Sequence, residues 1–388
     1  MDNSEYILAH RTDDVRALAL RSADAGVDKS FCLRQIEAWQ TARTKLPRWA
    51  ATDGILFPPH LNMEQCSSQL TAEYKARLVE RLLPEERGSL TDLTGGFGVD
   101  FSFLAPLFRN AVYVERNSDL CEMAQHNLPL LGAGHARVEC AQAEDFLDGA
   151  DQQDLIFLDP ARRDDAGRKV VALSDCSPDV AALSPALLSR SRVVMVKLSP
   201  MLDIGQALLS LHAVREVHTV SVDGECRELL LVLAAGEYRP AYHCVNLGRH
   251  PQSFVTSERH AQPRIAGAPG QFLYEPNASI LKAGVQDALC ESVDVSKLHP
   301  FSHLFTSDIL RQNFPGRSFR VDGISTGGKR ELKSFLRDVR QANLAVRNFP
   351  STVAQLRKQW HLAEGGDIYL FATTLADGTH ALIRCSKV

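Results

Sequence analysis

The stretch GSLTDLTGGFGVDFSFLAPLFRNAVYVE, from Gly88 to Glu115, decides the fold of this chain. An apolar run at 89–93 precedes a glycine-rich turn, a helix-compatible segment follows, and a second apolar run ends on Glu115. This order predicts a strand, a tight turn, a crossover helix and a parallel strand. Gly96 and Gly98 let the backbone pass close to a ligand, because no Cβ intervenes. Glu115 then lies where doubly wound sheets bind a ribose, so the stretch predicts a site for a nucleoside cofactor.

The residues around these glycines distinguish between cofactor classes. A dinucleotide site needs a third glycine, which is absent here, and Asp100 would repel a pyrophosphate. Asp92, Gly96 and Gly98 instead form a D-x-x-x-G-x-G pattern, which resembles the first motif of class I S-adenosylmethionine-dependent methyltransferases. The carboxylates of Asp92 and Asp100 suit the cationic ligand of that family. Thr94 takes the place of the motif's first glycine, and the alternative is a structural glycine turn in an unrelated α/β protein.

Length and composition indicate an ordinary globular protein. The chain has 388 residues, 45% of them hydrophobic and 23% charged, which favours two or three domains. No apolar run reaches the roughly eighteen residues of a membrane span, and the start MDNSEYILAH does not resemble a signal sequence. The nine cysteines include no C-x-x-C pair, so neither a zinc site nor a disulfide framework is indicated. We therefore expect a soluble cytoplasmic protein without a metal.

The first part of the chain, residues 1–85, predicts a helical cap packed on the sheet. Gln65, Ser67 and Ser68 directly precede the sheet, and they could line the cofactor pocket or simply cap the start of a helix. The predicted helices cover residues 13–25, 29–44 and 64–83.

From residue 86 to 236, apolar runs alternate with helical segments, which predicts a parallel sheet with both faces covered. A closing hairpin completes the strand pattern of a class I methyltransferase. Residues 237–271 show little periodicity and predict a connecting segment, and residues 272–289 carry an early proline with a helical continuation. The end of the chain, residues 316–388, predicts a small α+β domain. The predicted strands of the parallel region lie at 89–93, 111–114, 136–140, 154–159 and 192–198, with the hairpin at 216–222 and 229–233.

The loop after the fourth predicted strand reads Asp159-Pro160-Ala161-Arg162-Arg163 and should face the transferred methyl group, because ligands bind at the carboxyl ends of such strands. Asp159 can accept or orient a substrate proton on a backbone made rigid by Pro160, and Arg162 and Arg163 suit a phosphate backbone. The loop resembles the D/N-P-P-aromatic motif of amino-group methyltransferases. It departs from that motif at Ala161 and at Arg162, which replaces the base-stacking aromatic residue.

Further candidates lie on other elements. Lys197 ends the fifth predicted strand, where it could assist catalysis or form a structural ion pair with Asp159. Asp145 matches the position where the family binds the adenine amino group, and its alternative role is a helix N-cap. Cys226 is the candidate nucleophile of a cysteine-dependent carbon-5 mechanism, or else a small core residue.

The C-terminal part suggests the substrate class. Between Arg317 and Trp360 there are ten Lys or Arg against three acids, in a chain whose net charge is −4. This asymmetry indicates a nucleic-acid surface, with a solvated basic face as the alternative. The predicted phosphate contacts in this stretch are Lys329, Arg330, Lys333 and Arg337.

Over nearly its whole length the chain resembles a bacterial family of class I methyltransferases with a ferredoxin-like segment and a THUMP-like domain. The resemblance rests on EQCSSQLTAEYKA, DLTGGFGVD, YVERN, LDPARRD, VKLSPMLD, GECRELLLVL, YEPNASILKAG, FPGRSF, VRNFP and GGDIYLFATT. It implies an S-adenosylmethionine-dependent enzyme acting on structured RNA, with 86–236 as the α/β Rossmann-like methyltransferase domain, 272–315 as the ferredoxin-like segment and 316–388 as the THUMP-like domain. Two alternatives stay open: a non-catalytic RNA-binding protein with this fold, and a methyltransferase with a non-RNA acceptor.

Overall fold

The computed structural model describes residues 2–21, 26–162, 173 and 176–388, with every side chain in these ranges except those of Leu61, Arg162 and Lys329. These residues form two compact units. The first contains 1–216 and 229–239, and the second contains 217–228 and 240–388. None of the described helices is both long and apolar enough to cross a membrane.

The start of the first unit is helical, as predicted. The long helix expected over 64–83 is divided, because Cys66 and Ser68 have extended backbones and the Ser68 hydroxyl caps a new helix by accepting from the Thr71 N–H. Buried Trp49 is central to the apolar cluster of this region and packs on Phe97 at a ring distance of 4.6 Å. The helices are α1 (Asn3–His10), α2 (Val15–Leu20), α3 (Lys29–Lys45), α4 (Pro47–Ala51), α5 (His60–Gln65) and α6 (Gln69–Leu82).

The α/β region follows the predicted alternation of strands and helices. Its strands are β1 (Ser89–Asp92), β2 (Asn110–Glu115), β3 (Arg137–Cys140), β4 (Gln153–Leu158), the short pair β5 (Ala161–Arg162) and β6 (Cys176–Ser177), and β7 (Ser191–Leu198). Its helices are α7 (Val99–Leu104), α8 (Ser118–Leu130), α9 (Ala143–Asp148), α10 (Val180–Arg190) and α11 (Ile204–Ser210).

Strand β1 lies at the centre of this parallel sheet, whose order is β7-β4-β1-β2-β3. Asp92 aligns with Tyr113 of β2 and with Phe157 of β4. The carboxyl ends of these strands therefore meet at one edge, which brings Asp92, Glu115 and Asp159 to the same end of the sheet. The hairpin strands β8 (Val214–Val222) and β9 (Glu225–Leu233) follow, and the first-unit part of β9 runs antiparallel to β7.

The segment predicted as a connection forms two strands of the second unit, β10 (Ala241–Leu247) and β11 (Gln252–Thr256). The alternation of apolar and polar residues in β10 is hard to recognise in the sequence because one of its buried positions is the polar residue Asn246. The buried Asn246 side chain accepts hydrogen bonds from the Ser221 hydroxyl and the Gly224 N–H, each at 2.9 Å, and so stabilises the hairpin turn.

The remaining strands of the second unit form one sheet of order β13-β14-β12-β15-β18-β17-β16. The segment from Phe272 begins with a strand up to Pro276, and the predicted helical continuation follows as α12. The predicted strand and helix order of the last 73 residues (316–388) is confirmed. The elements are β12 (Phe272–Pro276), α12 (Ala278–Ala283), α13 (Leu289–Ser292), β13 (Ser296–Lys297), β14 (Phe305–Ser307), β15 (Gly316–Ser325), α14 (Lys329–Phe335), β16 (Gln341–Arg347), α15 (Val353–Trp360), β17 (Ala363–Thr374) and β18 (His380–Lys387).

Candidate cofactor and catalytic site

The glycine turn after β1 is shaped by backbone geometry and by close packing. Gly96 and Gly98 have φ angles of 54° and 84°, in the left-handed region that favours glycine. No role was predicted for Gly95, yet a Cβ on this residue would lie 2.1 Å from the Tyr113 ring. The Tyr113 hydroxyl donates to the Gly96 carbonyl oxygen. The turn is therefore a rigid, open backbone cradle.

Glu115 connects this cradle to the end of β2. Its Oε2 accepts the Gly96 N–H at 2.9 Å, and its Oε1 accepts the Asn117 N–H at 2.9 Å. Both oxygens are thus oriented by backbone donors, and each keeps a further lone pair for a ligand hydroxyl.

Asp92 is almost completely buried, at 1% exposure, and its Oδ1 accepts the Thr94 N–H at 2.9 Å. Burial raises the pKa of this carboxyl well above its usual range. The hydrogen bond from Thr94 opposes that rise, and the charges of Asp100, Asp159 and Glu115 add to it. Four carboxyl groups therefore share one region, where a cation would be favoured.

The charge of Asp100 is balanced by a residue that sequence reasoning missed. Fully buried Lys75 places its Nζ 3.1 Å from Asp100 Oδ1. The Ser67 hydroxyl donates to Asp100 Oδ2 at 2.7 Å, so Ser67 lies at the site as one interpretation expected, whereas Ser68 caps α6. The helical spacing of the sequence does indicate that Lys75 is buried, because it lies between Ala72 and Leu78 on the apolar face of α6.

Thr94 links the cradle to the loop after β4. Its Oγ1 accepts the Asp159 N–H at 2.6 Å and lies 3.5 Å from Asp92 Oδ1. Lys197, only 9% exposed, forms an ion pair with the Asp159 carboxylate, which is the structural alternative considered for this lysine. Pro160 is buried directly after Asp159. Thr94, which stands where the family motif has its first glycine, therefore holds the loop after β4, the candidate acceptor loop, in place.

Comparison with solved structures identifies the family. A crystal structure from Porphyromonas gingivalis W83, named as a methyltransferase, is 32% identical, with 100% of this chain and 97% of that chain covered at a TM-score of 0.88. The chain belongs to this methyltransferase family. Within it, a ferredoxin-like domain model matches residues 272–315 and a THUMP domain-like model matches residues 316–387.

Two other solved structures match less than half of this chain. An rRNA methylase from Streptococcus thermophilus is 13% identical, covering 42% of this chain and 94% of that chain, with a TM-score of 0.32. A tRNA (uracil-54, C5)-methyltransferase from Pyrococcus abyssi, in complex with S-adenosyl-L-homocysteine, is 19% identical, covering 43% of this chain and 39% of that chain, with a TM-score of 0.30. No curated protein matches the chain.

Two further predicted site residues are Asp145 and Cys226. Asp145 is exposed in the first turn of α9, whose N-cap is Gln142, and no described residue bonds to its side chain. Cys226 belongs to the second unit, and burial raises its pKa to about 11, which disfavours a thiolate at neutral pH.

Cys66, which the sequence interpretation missed, lies within reach of the charges of this cluster. The pKa of the Cys66 thiol is raised, mainly by burial. Among the nearby charges, those of Lys45 and Lys197 lower this pKa, and that of Asp100 raises it. Its thiol donates to the Met63 carbonyl oxygen at 3.3 Å, so it is held as a neutral hydrogen-bond donor.

The predicted RNA contacts of the methyltransferase are only partly described. Arg330 and Lys333 on α14, and Arg337 just after it, are exposed, and the first two lie one helical turn apart. Arg163 lies outside the described residues, as do the side chains of Arg162 and Lys329. Several arginines counted in the basic stretch are paired with acids, and this reduces its effective charge; these are Arg317, Arg320, Arg347 and Arg357.

Proposed function

We propose that the protein is an S-adenosylmethionine-dependent methyltransferase that modifies structured RNA, either ribosomal or transfer RNA. The observation that carries the proposal is the convergence of four carboxyl groups on an open glycine cradle, with buried Asp92 held at a raised pKa by this environment. A cationic nucleoside ligand fits both the carboxyl cluster and the open cradle. Its positive charge offsets the negative charges of the carboxyl groups, and its ribose hydroxyls can donate hydrogen bonds to Glu115.

The residues present fit this cofactor. The left-handed Gly96 and Gly98 leave the turn free of side chains, with no atom closer than 3.7 Å to a Cβ built on Gly96. Asp92 and Gly96 would hold the methionine part, and Glu115 the ribose hydroxyls. Asp145, in the first turn of α9, remains the proposed partner of the adenine amino group. S-adenosylmethionine supplies an electrophilic methyl group on its sulfonium sulfur.

The residues of the chain would then position the acceptor. The Asp159 backbone is held by Thr94, and its carboxylate is paired with Lys197 yet keeps 38% of its side chain exposed. This carboxylate can orient the acceptor and take the proton that the acceptor loses on methylation. Lys197 then stabilises the position of Asp159 rather than contacting the methyl group.

RNA as the acceptor is supported by the second unit. Residues 316–387 match a THUMP domain-like model, and exposed Arg330 and Lys333 on α14, with Arg337 just after it, provide cations. Such cations suit phosphate groups, and binding through them should weaken steeply with salt.

The test is transfer of tritiated methyl groups from S-adenosylmethionine to total RNA from a strain that lacks the gene, beside RNA from its parent strain. Label that enters only the deletion-strain RNA supports the proposal. Asp159→Ala should keep cofactor binding and lose this incorporation, whereas an exposed control, Asp119→Ala, should keep both.

The same assay judges the alternatives. Cofactor and RNA binding without incorporation would favour a non-catalytic RNA-binding protein, a role compatible with the ion pair that already occupies Asp159. Incorporation into a protein or small-molecule fraction, and none into RNA, would overturn the RNA acceptor while leaving the cofactor assignment intact.

A further inference from the structure

The sheet of the second unit contains a bulge at the GGDIYLFATT motif, which the proposed function leaves without a role. Along the edge strand β16 the pairing moves from Glu364 directly to Tyr369, and the intervening Gly365 and Gly366 have φ angles of 97° and 79°. The side-chain amide of Asn343 donates to the Gly366 carbonyl oxygen at 2.6 Å and holds the bulge in place. Bulges re-aim side chains and are frequent beside binding sites.

A pocket of about 200 Å³ lies next to this bulge. Half-buried Tyr369 supplies its aromatic surface, whereas Phe371 lines the pocket but is buried, and Arg317 and Arg357 supply cations. Pockets for drug-sized ligands usually enclose about 300–1,000 Å³. A cavity below that range is suited to one planar ring rather than to a whole nucleotide cofactor.

The aromatic side chains here pack against one another. The Tyr369 and Phe319 ring centroids are 4.9 Å apart, and the Arg317 guanidinium lies 5.5 Å from the Phe319 ring centroid. Among the described residues, no partner bonds to the Tyr369 hydroxyl, which therefore remains available to a ligand. Helices α14 and α15 pack on the opposite face of this sheet, through Leu332, Leu356 and their neighbours. On the other face, Phe319 and Phe371 are buried in a second apolar cluster, so of these three rings half-buried Tyr369 is the one within reach of a ligand. An accessible aromatic ring beside cations is an arrangement on which unpaired bases stack.

The charge around the pocket favours a polyanion. Glu275 is buried and pairs with both Arg317 and Arg347, so two guanidinium groups share one carboxylate. The Arg357 side chain is 18% exposed, and its Nη1 donates to the Ala363 carbonyl oxygen at 2.9 Å. Its pair with Glu364, at 3.9 Å and with the acid 87% exposed, is weak. The surroundings of the pocket thus keep a positive charge for a phosphate backbone.

We propose that this pocket, formed at the bulge by Tyr369, Phe371, Asn343, Arg317 and Arg357, binds one unpaired base of a single-stranded RNA segment. Tyr369 provides the stacking face and the arginines contact the flanking phosphates. A base inside a duplex is stacked on its neighbours and cannot enter. The inference rests on the RNA part of the proposed function and adds that the bound segment is single-stranded.

The test measures binding of the full chain to a short fluorescent single-stranded oligoribonucleotide and to a duplex of the same sequence, by anisotropy over a series of salt concentrations. Stacking on one aromatic side chain is worth about 1–3 kcal/mol by alanine substitution. Tyr369→Ala should therefore weaken single-strand binding by about 5- to 150-fold. Tyr369→Phe should keep most of the affinity, and Phe301→Ala, at a residue 72% exposed elsewhere, should bind like the wild type.

The salt dependence separates stacking from charge. Loss of Tyr369 should leave the slope of log K against log salt unchanged, whereas Arg357→Gln should reduce it, because only the arginine releases a counterion. Tyr369→Leu fills much of the same volume, and an unchanged thermal midpoint for that variant would show that its loss of binding is not a loss of folding.

The inference is overturned if a folded Tyr369→Ala or Tyr369→Leu variant binds the single strand within about twofold of the wild type, or if the wild type binds the duplex equally well. If methyl incorporation into RNA persists in that case, the proposed function survives without this pocket. If Tyr369-dependent binding is found without any incorporation, the pocket is supported and the RNA methyltransferase assignment falls.

Discussion

Glu115 provides the sharpest test of the cofactor site. Its two oxygens are each oriented by one backbone N–H at 2.9 Å, so ribose hydroxyls would meet a preorganised acceptor. Hydrogen bonds to charged groups contribute about 1.5–3 kcal/mol each. Because Glu115 is only partly buried, the lower value applies, and two such bonds amount to about 3 kcal/mol. Glu115→Ala should therefore weaken S-adenosylmethionine binding by about 150-fold.

Calorimetric titration of the folded variant at neutral pH measures this change. Glu115→Gln keeps an oxygen of the same shape without the charge, so its loss should be intermediate. Asp119→Ala removes an exposed acid from the following helix and should bind like the wild type. If Glu115→Ala bound the cofactor within about threefold of the wild type, the assignment of the β2 end to the ribose would be refuted.

Two further predictions concern stability. Asp92→Asn should raise the thermal midpoint of the cofactor-free protein at pH 8 but not near pH 4. Because folding raises the pKa of Asp92, the wild type loses stability as the pH rises from the ordinary pKa of an aspartate through the pKa of Asp92 in the folded protein. The amide does not ionise, so the variant does not lose this stability. Lys75→Met should destabilise the first unit by about 3–5 kcal/mol in urea unfolding, because it leaves the Asp100 carboxylate buried without its cation, and a second change, Asp100→Asn, should recover part of that loss.

The strand, turn and helix around Gly96 could be predicted from the sequence because their signals are local. Alternating apolar runs, a glycine turn and an acid at a fixed spacing are all contained within one stretch of chain. The same locality explains why the ends of β1, β2 and β4 were correctly brought together.

What the sequence could not predict depends on contacts between distant residues. Lys75 and Asp100 meet across α6 and α7, and nothing in the local pattern identifies the charge partner of a lysine on an otherwise apolar helix face. Thr94 illustrates the same limit. In the sequence it is a departure from the family motif. In the structure its hydroxyl accepts a hydrogen bond from the N–H of Asp159, which lies 65 positions later in the chain.

The charges of the site have a consequence for cofactor binding. Lys75 offsets Asp100, Lys197 offsets Asp159, and two N–H groups stabilise Glu115, whereas the Asp92 carboxyl is held at a raised pKa. A cation bound beside Asp92 would favour its ionised form and lower that pKa, so binding should release a proton.

Affinity for S-adenosylmethionine should consequently rise with pH and level off above the pKa that Asp92 has in the free protein. Titrations at pH 6 and pH 8, in two buffers with different ionisation heats, measure both the change in affinity and the proton released. Asp92→Asn is the matched control, because any titration of the ligand itself contributes equally to both proteins. A wild type whose pH dependence equals that of the amide variant would show that Asp92 does not contact the cation, and the cradle would then bind the cofactor through Glu115 and the backbone alone.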